Sequence, residues 1–189
     1  LGGNPIRDYG DCLIIPGLVD LHIHAPQYSY RGLGMDMELL EWLEVNTFPE
    51  EAKFEETDYA EKSYRIFVEN LKNSATTRAC IFATVHRPAT LLLMDMLEKS
   101  GLDTYVGKVN MDRNCPDYIC EETQESADET LEWIKDVNHR KYKNTKPILT
   151  PRFTPSCTDE LMEELKKLQM RYHLPLQSHL SENPGEIQW

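Results

Sequence analysis

The chain has 189 residues, 40% of them apolar, and a formal charge of −12. That length suits one sizeable core rather than two domains. The acidic balance disfavours a nucleic-acid or anionic-membrane surface, each of which needs a basic patch, so the expected partner is a small or neutral molecule. Five cysteines (Cys12, Cys80, Cys115, Cys120, Cys157) are scattered and odd in number, which fits reduced, cytoplasmic thiols better than a disulfide scaffold. No apolar run reaches bilayer length, and no charged start leads into an apolar export signal.

Residues 1–15 open with turn-formers and are expected to end in a short apolar strand, a connector into the unit at 16–189. Pro16-Gly17 then redirects the chain into Leu18-Val19-Asp20-Leu21-His22-Ile23-His24. In a strand, side chains alternate, so Asp20, His22 and His24 share one face, and Val19, Leu21 and Ile23 form a packing face on the other. Two imidazoles from one rigid strand are either a pre-oriented pair of metal ligands or two satisfied polar histidines. A loop follows through Gln27, Tyr28 and Tyr30. Helical spacing appears at Leu39-Leu40-Trp42-Leu43, where Trp42 is read as packing. A longer helix runs from a cap at Thr57 or Asp58 to about Leu71.

Thr76–Val85 is β-branched and apolar, hence a second strand. Pro88–Lys99 reads as a helix closed by Gly101, Thr104–Met111 as the third strand and Glu125–Asn138 as a helix. Pro147–Phe153 is the fourth strand, Asp159–Tyr172 a helix with a Ser/Thr-rich cap, and Leu174–Leu180 the fifth strand. This alternation predicts a parallel sheet with helices outside it, either doubly wound or a TIM-type (β/α)8 barrel. No GxGxxG or P-loop follows a strand, and chemistry-bearing residues follow several strands, which favours the barrel. A full barrel takes typically about 250 residues; the expectation is therefore an incomplete one, about the first five β/α units.

The fifth strand ends Gln177-Ser178-His179-Leu180-Ser181-Glu182-Asn183. His179 can join His22 and His24 as a third ligand, and Glu182 just beyond can take and return a proton, a hydrolytic constellation. Thr150-Pro151-Arg152-Phe153 offers a rigid fork of donors beside a flat apolar ring, suited to a planar heterocycle with a carbonyl. Gln27 can both donate and accept, as recognition of a purine edge requires. The lysine near the fourth strand, Lys146, lies at its wrong end to bridge two metals, so one ion is expected, zinc by preference with iron as the other option. His86 is either a pocket residue or a structural one. His139 and His173 are read as solvated, and Cys115-x4-Cys120 as a loop.

On these residues the chain resembles the guanine deaminases of the amidohydrolase superfamily. PGLVDLHIHA is the motif of the superfamily at large. The more specific likeness lies in Gln27-Tyr28-Ser29, Leu40-Glu41-Trp42-Leu43 with Thr47-Phe48-Pro49-Glu50, Phe82-Ala83-Thr84 with His86, Gly107-Lys108-Val109 with Met111-Asp112, Thr150-Pro151-Arg152-Phe153 and Gln177-Ser178-His179 with Ser181-Glu182-Asn183. The resemblance implies hydrolytic conversion of guanine to xanthine and ammonia in a homodimer. It implies zinc ligands His22, His24 and His179, the last also acting in catalysis, with Glu182 as proton shuttle. Gln27, Arg152 and Phe153, with His24 and Glu182, would hold the base. It also implies further ligands on later strands and a small β-domain of which residues 1–15 are the end; on its own the segment is expected to be inactive or weakly metal-binding. Rival readings are a related deaminase of a pyrimidine, triazine or nucleoside, and a non-catalytic barrel relative. The cytidine-deaminase type of zinc site needs HxE followed by PCxxC, which is absent.

Overall fold

In the computed structural model, which describes residue 3 and residues 5–188, strands and helices alternate along the chain. The strands are β1 (Leu18–His24), β2 (Thr76–Phe82), β3 (Asp103–Gly107), β4 (Val109–Asn110), β5 (Thr145–Pro147) and β6 (Thr150–Pro151). The helices are α1 (Leu39–Trp42), α2 (Phe48–Ala52), α3 (Thr57–Lys72), α4 (Arg87–Ser100), α5 (Thr123–Arg140), α6 (Asp159–Tyr172) and α7 (Pro184–Gln188). Single 3-10 turns cover Pro26–Tyr30, Lys53–Glu55 and Thr154–Ser156, and one π-helical turn covers Leu43–Thr47.

β1, β2, β3 and β5 form a parallel sheet in that order. β4 and β6 pair in parallel farther along the same two chain segments. The fourth strand is broken at Ile148–Leu149, opposite the break between β3 and β4 at Lys108. The fifth strand of the sequence reading is present only as bridges, Leu149 to Leu176 and Phe153 to His179, tied by Gln177 N–H to the Leu149 carbonyl at 2.9 Å. Strands in chain order with a helix after each make an α/β unit built on a parallel sheet.

Alternation along the strands feeds two apolar clusters. Ile81 and Val106 face the helices, where they pack with Phe67 and Leu71 of α3, Leu93 and Leu97 of α4, Trp133 of α5 and Leu161 of α6. Phe82 and Val109 face the other way, into a smaller cluster with Leu43, Phe48, Met111 and Phe153. Each fully buried side chain of the Phe67 or Leu93 kind contributes about 1.5–3 kcal/mol. Gly101 ends α4 with a φ of 81°, as expected of a glycine there, and the Thr158 hydroxyl caps α6 by accepting the Leu161 N–H at 3.1 Å.

Three expectations are corrected. Val19 and Leu21 do not pack: they are 53% and 72% exposed, because β1 is the edge strand and nothing among the described residues covers that side. No strand forms in residues 5–17, which pair with no other strand among the described residues; residues 1, 2 and 4 of the connector, and Trp189, lie outside the described residues. The α3 cap is neither Thr57 nor Asp58, since Thr57 is already the first helical residue and Glu56 precedes it without a side-chain bond. Among the described residues no helix is long and apolar enough to cross a membrane.

Candidate active site

Parallel pairing aligns His24 with Phe82 and Phe82 with Gly107, so the histidines of β1 stand at the strands' C-terminal ends. The chain then brings His179 beside them. One ligand atom from each of His22, His24 and His179 lies within 4.8 Å of the others, and the Nε2 atoms of His24 and His179 are 3.0 Å apart. Phe82 floors the cluster, its ring stacked on His24 at 4.5 Å and tilted against His179 at 4.5 Å and His22 at 4.9 Å.

The protonation of these rings is set by their surroundings. Nδ1 of His179 donates to the Arg152 carbonyl at 2.7 Å, which leaves Nε2 bare and pointing at His24. Burial pushes His24 well below the usual histidine range, and the charges of Arg152, His179 and His22 push the same way. Burial also lowers His179, against the Arg152 carbonyl and Glu182. Neutral rings keep their lone pairs for a metal. His24 Nδ1 is buried without a partner, so the chain alone does not satisfy this ring. Three converging imidazoles fit a divalent ion of the zinc or iron(II) kind.

Beside the triad is a small cleft of about 50 Å³, partly open to solvent. His24, His179 and Glu182 line one part, Gln27 and Arg152 another, and Leu39, Trp42, Leu43 and Phe153 supply the apolar walls. Sequence reasoning thus named six residues that meet here: His24, Gln27, Arg152, Phe153, His179 and Glu182. Arg152 is held by Glu51 of α2 through Nη1–Oε2 at 2.6 Å and Nη2–Oε1 at 3.2 Å. Glu182 follows Ser181, which has a φ of 55°; this turn is fixed by the Glu186 carboxylate, which accepts the N–H groups of Ser181 at 3.0 Å and Glu182 at 2.7 Å.

Trp42 packs against the Phe48–Phe82 cluster as its spacing predicts, and it also forms a wall of the cleft, its indole N–H donating to the Leu33 carbonyl at 2.9 Å. His86 faces a different cleft, with Arg87, Tyr118 and Glu121, since it follows β2 on the helix side and opens α4. Lys146 pairs with Asp103 at the far end of the sheet, 3.0 Å away. Lys108, buried after β3, is turned to Glu121 at 2.6 Å and away from the histidines. Glu51, Phe82 and Glu186 were not singled out. Nothing in the motif spacing marks Glu51 or Glu186, whereas Phe82 as the last residue of a strand was a usable signal.

An Amidohydrolase family model matches residues 13–189. The guanine deaminase of Dictyostelium discoideum is 44% identical over 184 residues, which are 97% of this chain and 41% of that protein. The Homo sapiens guanine deaminase is 46% identical over 176 residues, 92% of this chain and 38% of that one. A crystal structure of guanine deaminase from C. acetobutylicum with guanine in its active site superposes with a TM-score of 0.93 at 54% identity, covering 97% of this chain and 44% of that one. The chain therefore spans about two-fifths of the length of the relatives it matches. With the histidine strand, the parallel sheet and a match over nearly its whole length, the chain belongs to the amidohydrolase family.

Proposed function

We propose that the protein carrying this chain hydrolyses guanine to xanthine and ammonia, in purine catabolism in the cytoplasm, as a TIM-type barrel enzyme and a homodimer, with one zinc ion held by His22, His24 and His179. One observation carries the reading: the imidazole cluster and Glu182 open onto the same cleft as Gln27, Arg152 and Phe153, so a site able to activate water adjoins one able to read a flat heterocycle. The likeness to a relative with guanine bound supports the choice of base.

A divalent cation at the imidazoles supplies Lewis acidity that brings the pKa of a water to about 7. The chain does the rest. Phe153 lies along the ring while the Arg152 fork and the Gln27 amide give and take hydrogen bonds on its polar edge. Glu182 accepts a proton as water adds to the carbon bearing the amino group. It passes that proton to a ring nitrogen, so the adduct forms without a full negative charge on the ring. Glu182 then moves the hydroxyl proton of the adduct to the amino nitrogen, so the carbonyl forms as the carbon–nitrogen bond breaks and ammonia leaves.

The test is guanine-dependent ammonia release by the full-length protein that carries this chain, metal-stripped and then zinc-restored. Release that vanishes with the metal and returns with zinc is the expected result. Metal binding without release would refute guanine as the substrate, and restoration by iron(II) but not zinc would refute the choice of ion.

A further inference from the structure

Glu51 and Arg152 are 101 residues apart in the chain and almost wholly buried together, with 1% and 3% of their side chains exposed. Their contact is two-pointed, each carboxylate oxygen taking a different guanidinium nitrogen at 2.6 and 3.2 Å. The same carboxylate touches Gln27, whose Nε2 donates to Oε1 across 3.5 Å. Phe48 packs its ring 5.3 Å from the guanidinium carbon. One acidic side chain thus contacts both polar residues of the cleft that face the ring edge.

A guanidinium is planar with five N–H donors in a fixed fork. Gripping two nitrogens fixes the whole plane, and with it the direction of the N–H groups that remain free. Without the carboxylate, the plane is free to turn about its side-chain bonds and the buried charge has no counterion. The cleft would then present a donor of variable direction, and a two-point contact with a carbonyl oxygen and a ring nitrogen would be lost more than a stacking contact.

We infer that Glu51 is a positioning residue: it sets the orientation in which Arg152, and with it Gln27, meets the oxygen-bearing edge of a purine. This rests on the purine deaminase reading above.

The experiment compares Glu51→Gln and Glu51→Asp in the full-length protein that carries this chain, alone and with Arg152→Lys, after circular dichroism and metal analysis establish folding and loading. The steady-state KM for guanine and the inhibition constant of 2-aminopurine, which lacks guanine's exocyclic carbonyl oxygen, are the two readouts. Glu51→Gln should raise KM for guanine about tenfold, the loss of about one charge-assisted hydrogen bond, and move the 2-aminopurine constant by less than about twofold. In the Arg152→Lys background the same substitution should add almost nothing, because the two-point grip is already gone. Glu51→Asp, which keeps the charge but shortens the reach, should raise KM for guanine as well and serves if the glutamine variant does not fold. By nuclear magnetic resonance, the Nη–H signals of Arg152 should be separate in the unsubstituted chain and averaged in Glu51→Gln. An unchanged KM, an equal loss with both purines, additive effects in the double variant, or Nη–H signals already averaged in the unsubstituted chain would each overturn the inference. No guanine turnover by the unsubstituted, metal-loaded full-length protein that carries this chain would instead refute the deaminase reading, and the resonance comparison would still decide whether Glu51 holds Arg152.

Discussion

His179→Ala separates ligation from folding. The substitution removes an imidazole whose Nε2 is 3.0 Å from that of His24 and whose Nδ1 donates to the Arg152 carbonyl at 2.7 Å. It leaves intact the backbone bond from His179 N–H to the same carbonyl at 3.0 Å, so the bridge to Phe153 survives. Zinc in four-ligand protein sites is worth about 10–16 kcal/mol in all, so one ligand is worth about 3–4 kcal/mol, or roughly 10²–10³ in affinity. The side-chain hydrogen bond to Arg152 is worth about 1 kcal/mol of stability. Competition titration of zinc against a chromophoric chelator should show the affinity loss, while urea unfolding of the metal-free protein should show only the small stability change. His139→Ala, an exposed ring whose Nδ1 is 2.9 Å from the Lys135 carbonyl, is the control. A zinc affinity within about threefold of the unsubstituted protein, or an equal loss in the control, would refute His179 as a ligand.

Glu98 accepts the N–H groups of Lys143, Asn144 and Thr145 at 2.8, 2.9 and 3.0 Å. Its burial opposes ionisation, but these bonds outweigh it and hold the carboxyl below the usual range. A lowered folded pKa contributes stability that is present above the unfolded value and lost as pH falls through the folded one. Glu98→Gln should therefore cost about 1–2 kcal/mol at pH 7, the low end for such bonds because the group is partly exposed. That difference should shrink steadily as pH falls below the ordinary carboxyl value of 4.5. Urea melts across pH 3–7 would show it, and a difference independent of pH would refute it. Gly107→Ala should destabilise by at least about 1–3 kcal/mol through overpacking. A Cβ there would stand 1.7 Å from Thr150 Oγ1 and 2.6 Å from the Ile148 carbonyl oxygen, so the third and fourth strands must part. A thermal melt unchanged by the substitution would show that the close approach is not needed.

The sequence by itself determined most of the elements and named candidate residues that the fold brings together. Period-3.6 apolar spacing marked α3, alternation marked β1, a β-branched apolar run marked β2, and residue types at strand ends marked His22, His24, Arg152, Phe153, His179 and Glu182 as candidates. These are local signals, because backbone geometry repeats over two to four residues and metal or heterocycle chemistry permits few side-chain types. Only the tertiary structure decided what depends on residues far apart in the chain. Val19 and Leu21 show an apolar pattern and are exposed, since β1 ends as an edge strand. Trp42 packs as its helical spacing implies, but that it also walls the cleft depends on the fold. Glu51 is one of several glutamates in its stretch of sequence, and becomes the partner of Arg152 only because α2 packs against the end of β6. Pairing energies of this kind arise from burial and distance, and neither exists until the chain has folded.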